Sequence, residues 1–157
     1  MDKILRINMG AAGGPEIKTE ALGEYAGLGG RAMTSGIVAK EVPPLCHPLG
    51  EDNKLVIAPG MLSGSVAAMS GRISVGCKSP LTGGIKEANS GGQPSQMLGR
   101  LGYAAIVLEG KPKEANSGGQ PSQMLGRLGY AAIVLEGKPK EKALYKVFIN
   151  KDGVDIK

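Results

Sequence analysis

Tryptophan is absent from this chain, and phenylalanine occurs once, at Phe148. A core must therefore come from Leu, Ile, Val, Ala and Met, and a surface that stacks bases on interleaved aromatic rings is excluded. The basic residues are scattered, so the net charge of +5 points to a small anionic ligand and away from nucleic acid. Histidine also occurs once, at His47, in a polar connection between Cys46 and Pro48. A lone imidazole beside one thiol lacks the spacing of a structural zinc site, and with no second imidazole and no serine or cysteine set in a nucleophile motif a triad cannot be assembled; no catalytic residue is assigned. Cys46 and Cys77 form no CxxC, and no signal peptide is read upstream, which implies free thiols in a reducing, cytoplasmic setting. No apolar run approaches the ~20 residues that span a bilayer, so no membrane partner is expected.

Glycine, by contrast, is abundant, with 26 of 157 residues against a usual share of about 7%. The glycines sit in turns between apolar runs, without a collagen period, which implies close backbone approaches. The largest regularity is a repeat. Lys86–Pro112 (KEANSGGQPSQMLGRLGYAAIVLEGKP) recurs unchanged as Lys113–Pro139, so 27 residues are present twice and 157 − 27 = 130 are independent. Such a length suits one domain with a single modest core. Two copies fall short of the three or more that a solenoid stacks. Residues 113–139 are therefore expected to be a duplicate of 86–112 inside one domain, 1–157, arising from a recent in-frame duplication or from an error of sequence assembly.

Along the chain, Asp2–Asn8 is a β-type run, Gly10–Gly14 a turn and Pro15–Thr19 a returning strand. From Glu20 to Val42 the pattern is helical, with Leu22, Tyr25 and Ala26 on one face, a break at Gly29-Gly30, and Pro43-Pro44 as the stop. Lys54–Ala58 is a buried-strand candidate. In Arg72–Lys78, Ile73, Val75 and Cys77 alternate with Arg72, Ser74, Gly76 and Lys78, which predicts a strand buried on one face. Ser79–Pro94 is turn-rich, Ser95–Leu101 a short helix and Tyr103–Leu108 a buried strand. Ala143–Ile149 and Val154–Ile156 form a closing hairpin. Mixed loop lengths and an excess of strands predict an α+β fold, β-rich, with mixed and antiparallel sheets and short helices.

Gly27–Ala32 fits GxGxxG/A only formally, because no buried strand feeds it. Gly71–Ser79 misses the P-loop pattern, with Cys77 between glycine and lysine and a strand where a loop is required. The informative stretch is Gly60–Gly92, which supplies SGS, SGR, TGG and NSGG around the strand that carries Arg72. Clustered glycines can open backbone N–H groups to an anion, Arg72 adds a planar donor fork, and Asn89 offers an oxygen suited to Mg²⁺.

The same stretch resembles the N-terminal domain of the aldehyde ferredoxin oxidoreductase family, the tungsten–pterin enzymes. The resemblance rests on Ser70-Gly71-Arg72, KSPLTGG at Lys78–Gly84, ANSGG at Ala88–Gly92 and GYAAIVLEGK at Gly102–Lys111. Upstream, KILRIN, EIK, LGGR and DNKLVIAPGML follow in family order. It implies a β-rich base for a tungsten (or molybdenum) bis-pterin, with Arg72, Asn89 and Gly91 at the pterin and the Asn89 backbone carbonyl on the bridging Mg²⁺. The implied enzyme oxidises aldehydes to carboxylic acids and passes electrons through a [4Fe–4S] cluster to ferredoxin. Cys46 and Cys77 do not match cluster ligands, and QPSQMLGRL lacks the family's usual aromatic. The cluster is therefore expected in domains outside an incomplete, truncated chain that is inactive alone. A non-catalytic binding or assembly module, or the product of a disrupted gene, are the alternatives, and homo-oligomer formation stays open. Of the two copies, the first is expected at the cofactor, because it follows KSPLTGG at the family's spacing, and the second, Asn116–Gly119, as a bystander.

Overall fold

In the computed structural model of the chain, residues 1–11 and 15–110 are described in full, together with the backbone of 131–135, 145–150 and 153–156. Six strands form one mixed sheet: β1 (Lys3–Asn8), β2 (Glu16–Ala21), β3 (Leu55–Pro59), β4 (Arg72–Lys78), β5 (Ile85–Gly91) and β6 (Tyr103–Glu109), in the order β2-β1-β6-β3-β4-β5. Only β1 and β6 run parallel; every other neighbouring pair is antiparallel. Helices α1 (Gly30–Glu41) and α2 (Gln93–Arg100) cover the two faces. Alternation decides which side chain meets which helix. Ile4, Val56, Ala105 and Val107 join Met33, Ile37 and Val38 of α1, while Leu5, Ile7, Ile106 and Leu108 join Leu98 of α2. With both faces covered, β6 is buried from Tyr103 to Leu108, and its continuous apolar run, YAAIVL, is the signature of such a strand.

Three expectations are corrected. The helical pattern from Glu20 yields a single 3-10 turn at Gly23–Tyr25, and α1 starts only at Gly30. Gly27 at φ +80° and Gly30 at φ +53° hold left-handed backbone that no continuing helix tolerates. Second, β4 is not solvated on one face. Ser74, Gly76 and Lys78 are buried under α1, while Val75 and Cys77 are only half-buried. Gly76 makes this cover possible, since a Cβ there would lie 2.8 Å from Cβ of Thr34. Third, Ser79–Pro94 is not all turn: Ile85–Gly91 pairs with β4 along its whole length. Its sequence, IKEANSG, has no apolar alternation because it is an edge strand held by main-chain bonds, and pairing overrides propensity there.

The strand of the first copy, β6, sits in the sheet between β1 and β3. The corresponding strand of the second copy, β7 (Ala131–Leu135), pairs with β8 (Tyr145–Asn150), which pairs with β9 (Gly153–Ile156) in a three-stranded antiparallel sheet. The second NSGG and its helix lie outside the described residues, as do parts of the turns expected at Gly10–Gly14 and Asn150–Gly153. Among the described residues no helix is long and apolar enough to cross a membrane.

Candidate functional site at the open edge of the sheet

The β4–β5 hairpin gathers the polar side chains that the sequence singles out. Register sets Arg72 opposite Gly91, Ser74 opposite Asn89 and Gly76 opposite Glu87, all on the α1 face. Arg72 Nη1 donates to Asn89 Oδ1 at 2.8 Å. The Asn89 amide donates in turn to Glu87 Oε1 at 3.1 Å, where the Ser74 hydroxyl also donates, at 2.6 Å. From the first turn of α1, Arg31 Nε donates to Glu87 Oε2 at 3.0 Å. Glu87 thus offers acceptors only, and Arg72 donors only, so the orientation of the Asn89 amide between them is fixed. Hydrogen bonds from Ser74 and Asn89, with the Arg31 charge, hold the Glu87 carboxyl below the usual range.

Main-chain direction follows from three bonds. Gly92 N–H donates to Gly71 O at 3.1 Å, Gly60 N–H to Arg72 O at 3.0 Å and Ser79 N–H to Gly84 O at 2.8 Å. These make 72/91, 74/89, 76/87 and 78/85 the non-hydrogen-bonded pairs of the ladder, in which both main-chain groups of a residue turn away from its partner. The N–H and C=O groups of Glu87, Asn89 and Gly91 therefore face outward along the edge of β5. A Cβ on Gly91 would find no atom nearer than 3.9 Å, so its missing side chain leaves open space beside Arg72.

The approach to Arg72 is held from below by α2. Ser63 Oγ lies 2.6 Å from Ser95 Oγ and donates to Ser70 O at 2.8 Å. Gln96 accepts from Gly64 N–H at 2.6 Å and donates to Ser70 Oγ at 3.1 Å. Gly99 packs so closely that a Cβ would strike the Ser63 carbonyl.

Arg72, on the expected strand β4, thus comes together with Asn89 and Gly91, which lie on an edge strand where a loop was expected. Arg31, Ser74 and Glu87 were not anticipated. The period of two would have placed Glu87 beside Asn89 had Ile85–Gly91 been recognised as a strand. His47 is exposed. Both cysteines are free, burial pushes the Cys77 thiol up, and no group of three or more His, Cys, Asp or Glu side chains suited to a metal ion occurs among the described residues.

A second polar cluster, beside a depression of about 360 Å³ lined by Asn8, Glu41, Lys54 and Glu109 among others, is occupied by its own ion pairs. Arg6 contacts Glu41 at 2.7 Å and Glu20 at 2.5 Å, and Lys54 pairs with Glu41 and Glu109. Each of these five side chains is engaged in an ion pair within the cluster, which marks it as structural.

Fold and site together define an α+β domain that carries a polar constellation on an edge hairpin, with main-chain oxygens turned outward. Residues 4–115 match the family model for the N-terminal domain of aldehyde ferredoxin oxidoreductase, and the chain belongs to that family. The match takes in the whole first copy and ends at the start of the second. The tungsten-containing aldehyde ferredoxin oxidoreductases of Thermococcus kodakarensis and Pyrococcus furiosus are each 42% identical over 112 residues, covering 69% of this chain. The chain spans 18% of the length of those relatives. Among solved structures, the active-site complex BamBC of benzoyl coenzyme A reductase, in complex with 1,5-dienoyl-CoA, is similar, with a TM-score of 0.63 and 28% identity over 69% of this chain and 17% of that one.

Proposed function

We propose that this chain supplies the N-terminal, tungstopterin-binding face of an oxidoreductase that converts aldehydes to carboxylic acids in the cytoplasm, with ferredoxin as electron acceptor. The observation that carries the reading is the Arg72–Asn89 pair on an edge whose main chain points outward. Arg72 keeps its fork exposed toward the anionic groups of a bis-pterin. Gly91 leaves room for the cofactor to lie against the strand. The Asn89 carbonyl is free of ladder bonding, and as a neutral hard oxygen it suits a bridging Mg²⁺. Glu87, neutralised by Arg31, Ser74 and Asn89, adds little opposing field. When bound, tungsten would supply the two-electron oxidation of the aldehyde, and the [4Fe–4S] cluster would be held by parts of the enzyme outside this chain.

Gly91→Val tests the reading. A β-branched residue is at home in a strand and would meet no atom closely here, yet it would fill the space left for the cofactor. Co-expressed anaerobically with the remainder of a relative's polypeptide, the variant should keep the wild-type melting temperature and lose bound tungsten at least ~tenfold, about 1.4 kcal/mol of affinity. Unchanged tungsten content would refute the placement.

A further inference from the structure

The pentapeptide AAIVL stands in this chain twice, in two settings. As Ala104–Leu108 it lies within β6, parallel to β1 and antiparallel to β3; as Ala131–Leu135 it is β7, antiparallel to β8. The identity extends to every contact the first copy makes. Glu87, Asn89 and Gly91 recur as Glu114, Asn116 and Gly118; Ser95, Gln96 and Gly99, which grip the Ser63–Gly64 turn, recur as Ser122, Gln123 and Gly126. We propose that the chain has two interchangeable threadings. In one, residues 86–109 fill the β5–α2–β6 place; in the other, the identical residues 113–136 fill it. The proposal rests on sheet contacts alone and not on the cofactor reading.

Within the main sheet only the junctions differ between the threadings, and β8, which loses Ala131–Leu135, is offered the identical Ala104–Leu108 in its place. Ile85 leads the first copy and lies opposite Lys78; Pro112 leads the second. Because 78/85 is a non-hydrogen-bonded pair, the N–H at that position faces outward, and a proline there removes no ladder bond. Ile85 is 46% exposed, so little apolar burial is lost with it. Downstream, Gly110-Lys111-Pro112 and Gly137-Lys138-Pro139 are the same, which preserves the glycine that β6 requires at φ +85°. The remaining difference is the connection from β4, which lengthens from residues 79–84 to residues 79–111. Closing the longer loop disfavours the second threading roughly tenfold.

Ile106 is 1% exposed and lies between Leu5 and Ile57 in the sheet; its twin is Ile133. Urea unfolding of the full chain as Ile106→Asp, Ile133→Asp and the double variant separates the cases. For the six-stranded sheet, two threadings predict an unaltered transition in Ile133→Asp, a retained cooperative transition with the folding constant about tenfold lower in Ile106→Asp, and loss of folding only in the double variant. If either single variant unfolds as completely as the double, or if the double remains folded, the proposal is overturned. Tungsten content plays no part in this readout, so failure of the cofactor reading leaves it standing.

Discussion

Glu41 shows what a single side chain contributes where charges are half-buried. Burial alone would raise its pKa, but two hydrogen bonds from Arg6, at 2.7 and 2.8 Å, another from the Tyr25 hydroxyl at 2.8 Å, and the charges of Arg6 and Lys54 bring it down to about 2. The same cluster raises the Tyr25 hydroxyl above its usual range, through burial first and the Glu41 hydrogen bond second. A carboxyl lowered from 4.5 to about 2 contributes on the order of 3 kcal/mol. That stability is complete above the unfolded value and disappears as the pH falls through the folded one. Glu41→Gln should therefore destabilise the chain by about 2–3 kcal/mol at pH 7, and the gap to the wild type should close toward pH 2. Urea unfolding at the two pH values measures it; a gap independent of pH would contradict the assignment. At this scale Arg72 and Asn89 were legible in the sequence because donor fork and oxygen are properties of the residues themselves, while Gly91 entered through the family resemblance; the structure adds that the three are neighbours across β4 and β5. Arg31 and Ser74 were not legible, since their role depends on a helix start and a neighbouring strand that no local pattern brings together.

Among the elements, the contact of α1 with β4 leaves no room for an added side chain. Helix and strand meet at Gly76 and Thr34, and the Thr34 hydroxyl lies 3.2 Å from Ser74 Oγ. Gly76→Ala would place its methyl carbon 2.8 Å from Cβ of Thr34, forcing the helix off the sheet. The expected cost is about 1–3 kcal/mol, read as a lowered urea midpoint, and an unshifted midpoint would mean that the helix gives way freely. Strands whose sequence alternates or runs apolar, such as LVIAP and YAAIVLE, were recognisable. The length of α1 was misjudged because apolar spacing continued through Leu22–Ala26, while glycine backbone at 27 and 30 set the real boundary. β5 was missed for a different reason: an edge strand held by main-chain bonds and by the polar side chains of Glu87 and Asn89 leaves no apolar period to find.

At the scale of the molecule, the family-matched region, residues 4–115, already holds all six strands of the main sheet and both helices. Excision of Lys113–Pro139 should accordingly leave that sheet intact, with an unfolding midpoint at or above that of the full chain and less aggregation on concentration. Loss of the cooperative transition would show that the second copy supports the fold. One further consequence follows from the parallel pairing of β1 with β6, whose partners, such as Ile7 and Leu108, lie about a hundred residues apart, a separation that slows folding. On the ribosome the inner edge of β1 must wait, exposed, until a suitable strand emerges. At about 5–20 residues per second the first AAIVL appears roughly one to five seconds before its twin, whereas loops close and hairpins form within microseconds. Two strands of equal affinity thus acquire unequal standing by birth order. A chain diluted from denaturant, with both strands present from the outset, has no such seniority.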